Sequence, residues 1–178
     1  EFEFSDGKLL LRGSNGSGKS VTMQSFIPLL LDGNKSPERL DPFNSRARKL
    51  ENYLLGEEEH GKEESTGYIY IEFKKENSNN YLTIGMGLNA KRGRGLNSWG
   101  FAITDGRRIG RDIFLYKNIG SKISLSKTEL KNRIGDGGEV KEGQKEYMAI
   151  VNKYLFGFDS IDDYDELIKL LIQLRTPK

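Results

Sequence analysis

The chain has no cysteine and a single histidine. The first absence excludes disulfides, thiol nucleophiles and cysteine-ligated zinc. The one histidine, His60, sits in Glu57-Glu58-Glu59-His60-Gly61-Lys62-Glu63-Glu64, which reads as a solvated loop rather than a metal site. No apolar run approaches the roughly 20 residues of a membrane-spanning helix. No basic-then-apolar leader pattern opens the chain. Neither sign of charge dominates: 28 Lys and Arg stand against 26 Asp and Glu, for a net charge of +2. Composition therefore neither demands nor forbids a nucleic-acid partner. A length of 178 residues, with 35% hydrophobic and 30% charged, suits one rather polar domain with one core.

What is abundant is glycine, 21 residues, and its densest stretch carries a motif. Gly13-Ser14-Asn15-Gly16-Ser17-Gly18-Lys19-Ser20 fits G-x-x-x-x-G-K-[ST], the phosphate-binding P-loop. Glycine lets successive backbone N–H groups curl around an anion, and the following helix aims its positive end at the same anion. In this reading Gly13, Ser14, Asn15, Gly16, Ser17 and Gly18 form the cradle. Lys19 neutralises β- and γ-phosphate charge, and Ser20 ligates Mg²⁺. Val21 and Thr22 complete the nucleotide-binding set, with Thr22 near the α-phosphate. The flanks suit the motif: Lys8 to Arg12 reads as a buried strand, and Val21 to Leu31 as a helix with Met23, Phe26, Ile27, Leu30 and Leu31 on one face. Pro28 predicts a kink or early end, and Asp32-Gly33 a left-handed stop. The competing reading is a Gly/Ser turn that binds nothing.

The remainder predicts an α/β chain forming a single domain, 1–178. Residues 1–12 read as two strands. Residues 34–66 read as an irregular loop with basic and acidic parts and a short helix from Arg46 to Leu55. Residues 67–116 read as antiparallel strands, with Ile69, Ile71 and Phe73 on one face and Leu82, Ile84, Met86 and Leu88 on one face of the next strand. Gly85 and Gly87 suggest a bulge or a closely passing backbone. Asp105-Gly106 is a type I′ turn signal, with Arg107–Ile109 and Ile113–Tyr116 continuing the sheet. Residues 126–174 read as helical: Ser126-Lys127-Thr128-Glu129 is a capping box, 135–143 is a loop, a helix from about Glu142 to Phe156 sets Tyr147, Ile150, Val151, Tyr154 and Leu155 on one face, and the last helix turns Tyr164, Leu167, Ile168 and Leu171 inward.

A hydrolysing P-loop site also needs a carboxylate for Mg²⁺, usually at the end of an apolar strand. Tyr154-Leu155-Phe156-Gly157-Phe158-Asp159 comes nearest, but Gly157 interrupts it, and Glu72 and Asp112 have no better context. The completing carboxylate is expected outside this chain. The strand-like opening without methionine and the stop soon after a helix also read as a fragment of a longer polypeptide. Gln173, near that stop, can contact Mg²⁺ or water, or simply face solvent. A basic stretch, Arg46-Ala47-Arg48-Lys49, suits either phosphate or solvent.

These segments together resemble the N-terminal half of an SMC-type ATPase head of the ABC superfamily, in the condensin-like MukB and MksB group that includes Wadjet anti-plasmid systems. The carriers are Arg12 to Gln24, Leu40-Asp41-Pro42-Phe43-Asn44-Ser45-Arg46-Ala47-Arg48-Lys49-Leu50-Glu51-Asn52-Tyr53-Leu54-Leu55, and Leu170 to Lys178. The resemblance implies a head lobe with a mixed, partly antiparallel sheet and C-terminal helices, binding ATP and Mg²⁺. It implies Lys19 and Gln173 as the catalytic contribution, with Gln173 as a Q-loop residue beside the metal with Ser20. In that family a helix does not usually precede the Q-loop, and here one does. The resemblance further implies a C-terminal half of the same head beyond a coiled coil, a second head in a homodimer, kleisin-type and accessory subunits, and DNA, in the cytoplasm on the nucleoid, without a membrane partner. DNA contact would fall to Arg46, Arg48, Lys91, Arg92 and Arg94. A complete small P-loop NTPase or kinase is the alternative from the residues alone.

Overall fold

A computed structural model describes residues 12, 14, 25–40, 49–56 and 61–175. Three short helices come first: α1 (Ile27–Asp32), α2 (Pro37–Leu40) and α3 (Leu50–Leu55). Three long strands follow, β1 (Glu64–Lys74), β2 (Tyr81–Lys91) and β3 (Gly95–Ile103). A small hairpin, β4 (Tyr116–Ile119) and β5 (Ser121–Ser124), leads to α4 (Lys127–Ile134). The chain ends with β6 (Gly138–Lys141), α5 (Gln144–Val151), a π-helical turn (Asn152–Phe156) and α6 (Ile161–Arg175).

The main sheet has the order β1-β2-β3-β6, and every pair in it is antiparallel. The strands expected over 1–12, which would make it mixed, lie outside the described residues. Side chains alternate across the pleat. Ile84, Met86, Leu88 and Ala102 pack on one face, with Ile69, Ile71 and Phe73 beside them, against α1, α5 and α6. Trp99, Phe101 and Ile103 fill the opposite face with Tyr68, Tyr70 and Val140, under α4 and the segment before it. The sheet is thus a central layer buried on both sides. We call these the α1 face and the aromatic face.

Several expectations need correction. Gly85 and Gly87 lie in regular ladder, opposite Phe101 and Trp99. No bulge is needed, because the two rings lie across the glycines and occupy the space a Cβ would take. Residues 135–143 are not all loop: Gly138–Lys141 pairs with β3, from Gly100↔Lys141 to Ile103↔Gly138. Residues 107–116 do not continue the sheet. They make one isolated bridge, Ile109–Ile113, and enter the separate β4–β5 hairpin. The reason is Arg107. Its guanidinium donates to the carbonyls of Ile134 (2.5 Å) and Arg133 (3.1 Å) at the C-terminal end of α4, drawing the chain away and leaving the β3 edge to β6. Within 34–66 the structure forms α2 as well as α3. On α6, Tyr164 and Ile168 are buried as expected, but Leu171 is exposed.

Candidate nucleotide-binding site

Of the nucleotide-binding set, only Ser14 is described, and it is exposed. Gly13, Asn15, Gly16, Ser17, Gly18, Lys19, Ser20, Val21 and Thr22 lie outside the described residues, as do Arg46, Arg48 and His60. The donor set of 13–20 is cationic and rich in N–H groups, with no carboxylate, which fits a phosphate rather than a bare metal.

After the loop the chain is described again from Ser25, and the C-terminal end of α1 is held by partners from across the fold. Ser25 and Phe26 form a π-type turn before α1. The helix does not end at Pro28; it continues to Asp32, and the irregularity sits in that turn. Gly33 adopts the left-handed conformation (φ 66°) and donates its N–H to the Leu29 carbonyl at 2.8 Å, the stop the sequence predicts. The next two carbonyls receive phenols. Tyr147 donates to Leu30 at 2.6 Å and Tyr164 to Leu31 at 2.5 Å. Asp32 accepts from the Asn34 N–H at 2.9 Å and pairs with Arg39 at 2.6 Å. At the other end, buried Ser25 donates to the Leu40 carbonyl.

Burial sets the protonation of these groups. It pushes the Tyr147 and Tyr164 phenols far above their ordinary value, so both remain donors. It also raises the Asp32 carboxyl, against the opposing pull of Asn34 and Arg39.

Gln173 lies on α6 and is exposed. The candidate carboxylates are elsewhere engaged or badly placed. Glu72 is bound by Arg108 at 2.7 Å, and Asp112 accepts the Arg108 N–H at 3.0 Å. Asp159 is exposed in a bend after the π-helical turn, not at a strand end. Among the described residues no group of three or more His, Asp or Glu is arranged to hold a metal ion.

Lys91, Arg92 and Arg94 share the β2–β3 hairpin tip. Glu64 lies 3.2 Å from Lys91, and Glu63 lies 3.6 Å from Arg92. Arg94 also acts on the Glu64 carboxylate, so all three cations have acidic neighbours. A cavity of about 590 Å³ opens between the aromatic face and the start of α4, lined by Thr66, Asn89, Trp99, Lys117, Lys127 and Glu129 among others. Its cations are already paired, Lys117 with Glu129 and Lys127 with Glu142.

Sequence reasoning placed Tyr147 and Tyr164 on inward faces without a polar role. Their spacing gives the face; nothing local names a hydroxyl's partner more than 100 residues away.

A family model described as an AAA domain matches residues 1–175. The chain belongs to the AAA domain family. No curated protein and no solved structure matches it. Membership carries a P-loop NTPase reading, with nucleotide and, typically, Mg²⁺ as ligands. The described part of this AAA domain is α/β with an antiparallel sheet. Among its described residues no helix is long and apolar enough to cross a membrane.

Proposed function

We propose that this AAA domain is the ATP-binding N-terminal half of an SMC-like head, and that it hydrolyses ATP only with a C-terminal half and a second head. The observation that carries the reading is the P-loop spacing at 13–20 inside a family match spanning nearly the whole chain.

In this reading the backbone of Gly13 to Gly18 holds the phosphates, and Lys19 supplies a charge-assisted contact to the β/γ oxygens. Ser20 holds Mg²⁺, which bridges phosphate oxygens and offsets their charge when bound. Thr22 reaches the α-phosphate. Gln173 meets metal or water once the missing half completes the site. The condensin-like assignment, including the JetC-like anti-plasmid branch, rests on the sequence segments 40–55 and 170–178. DNA contact is assigned to phosphate at Arg46, Arg48, Lys91, Arg92 and Arg94 and would weaken steeply with salt.

Titration of the chain with Mg-ATP, together with phosphate release, tests the reading. We expect Lys19→Ala to weaken binding by about 10- to 100-fold, the range of a charge-assisted hydrogen bond, and the wild-type chain alone to release no phosphate. Steady Lys19-dependent turnover by the chain alone would replace the half-head with a complete small NTPase. Equal affinity in Lys19→Ala would reduce residues 13–20 to a turn.

A further inference from the structure

Two segments on opposite sides of the central sheet expose apolar side chains in frames of opposite charge. The first runs from Phe114 through the β4–β5 hairpin to Arg133 and packs on the aromatic face through Leu115, Leu125 and Leu130. It holds five basic residues against one acidic residue, Glu129. Lys117 is engaged by Glu129 and Lys127 by Glu142. Lys122 and Lys131 are exposed and form no ion pair among the described residues. Ile119 and Ile123 are 65% and 44% exposed. The register sets Lys117 opposite Ile123 and Ile119 opposite Ser121, so the two isoleucines share one face of the hairpin.

The second segment, Phe156 to Lys169, has the converse composition. It holds five acidic residues against one lysine, Lys169, which bonds Asp165 at 2.5 Å. Asp159, Asp162, Asp163 and Glu166 are exposed. Beside them Phe156, Phe158 and Ile161 are 40%, 38% and 41% exposed, and the two phenyl rings stack at 6.3 Å. Tyr164 and Ile168 of the same segment pack on the α1 face. Apolar side chains gain when water is excluded. A frame of one charge sign repels a like surface and selects an opposite one. Each segment therefore fits the other, yet within one molecule the sheet stands between them.

We propose that the basic hairpin of one copy of this chain docks on the acidic segment that opens α6 of another, with Ile119 and Ile123 against Phe156, Phe158 and Ile161. The patches lie over opposite faces of the sheet, so one pair of copies cannot close both contacts at once. The contact is head-to-tail, and each copy keeps one patch free for the next. A contact this small belongs to the weak, transient class and is sensitive to salt. Nucleic acid is the competing occupant of the hairpin. The isoleucines argue against it, because phosphate contacts come from polar and cationic groups. No nucleotide takes part, so the ATP-binding reading can fail without touching this contact.

The test measures the mass of the whole chain by sedimentation velocity and light scattering, without nucleotide, over a concentration series at about 0.05 M and about 0.5 M salt. Three variants accompany the wild type. One carries Lys122→Glu and Lys131→Glu. The second carries Asp159→Lys and Glu166→Lys, which leaves Asp162 and Asp163 in the first turn of α6, where they suit the helix dipole. The third carries all four substitutions. Every substituted residue is exposed, and circular dichroism sets a temperature at which all four proteins are folded. We expect the wild type to grow past the dimer with concentration at low salt and to return toward the 20.2 kDa monomer at high salt. Each two-site variant should associate about tenfold or more weakly, because like charges then face each other. An equal mixture of the two, and the four-site variant, should recover the wild-type association. A wild type that stays monomeric at low salt overturns the proposal. If that monomer also binds duplex DNA and the first variant does not, the hairpin is a nucleic-acid surface instead. Association that neither two-site variant weakens, or that both weaken without recovery in the mixture, overturns it as well.

Discussion

On the α1 face an apolar layer that includes Leu29, Leu30, Ile84, Met86 and Leu88 is supplemented by polar contacts between elements: two phenols on helix carbonyls, the Asp32–Arg39 pair, and Ser25 on the Leu40 carbonyl. On the aromatic face the contacts that join elements are chiefly rings, with one phenol, Tyr68, donating to the Leu125 carbonyl at 2.8 Å. Tyr68 stands edge-on to Trp99 and Phe101 at 6.0 and 6.1 Å, and Trp99 and Phe101 cover Gly87 and Gly85. The ion pairs there, such as Lys117–Glu129, lie toward the surface. Apolar burial is strong but non-directional, so it holds a layer without fixing an angle. Buried hydrogen bonds add less net energy but have one good geometry. The α1 face thus adds directional hydrogen bonds to its apolar layer, whereas the aromatic face relies chiefly on packed rings.

Substitutions in the two layers separate these roles. Phe101→Ala removes a fully buried ring and should cost about 3–5 kcal/mol of stability, seen as a lower denaturation midpoint. Mg-ATP affinity of the molecules that remain folded should stay near wild type. Asp32→Ala breaks a buried ion pair at the end of α1 and should cost about 3 kcal/mol. Unlike Phe101→Ala, it should also weaken Mg-ATP, because α1, the first described helix after the loop in sequence, loses an anchor. Equal losses of affinity in the two variants would break the comparison. A loss confined to Asp32→Ala would sharpen it.

The same contrast shows what the sequence could and could not reveal. The P-loop pattern is legible from spacing alone, and the family match over residues 1–175 carries the same P-loop reading. The inward faces of β1 and β2, the Gly33 stop and the Ser126–Glu129 capping box are also legible, because each follows from neighbours within a few residues. What escaped depends on distant partners. β6 is four residues that begin on the second of two consecutive glycines, and it becomes a strand only because β3 offers a free edge. Arg107 reads as a strand residue until the end of α4 supplies carbonyls to bind. The glycines of β2 read as a bulge until Trp99 and Phe101 are seen lying over them. Tyr147 and Tyr164 read as core, and their hydroxyls acquire a role only when the helix of residues 27–32 lies beside them. The polar closure of the α1 face was therefore the least legible part of the described fold.

Acid provides the smallest and most discriminating comparison, because the two faces respond with opposite sign. Glu129 is held at about 2 by the Lys117 ammonium first, then by the Ser126 N–H and hydroxyl. Its folded value lies below the ordinary 4.5, so its contribution is present above that value and lost as pH falls towards 2. Asp32 is raised above 3.8 by burial. Its protonation is favoured in the folded state, so its contribution grows as pH falls through the folded value and is complete below 3.8. Lys117→Ala removes the leading cause at Glu129. Relative to wild type, it should flatten the fall in melting temperature between about pH 4.5 and 2, the window set by the Glu129 shift. Asp32→Ala should instead steepen the fall in the part of the window above 3.8, where Asp32 gains from protonation, and run parallel to wild type below it. Melting curves of the three proteins across this window decide the matter through their differences, in which the remaining carboxylates cancel. Parallel acid limbs in all three would mean that neither carboxyl is tuned by its face.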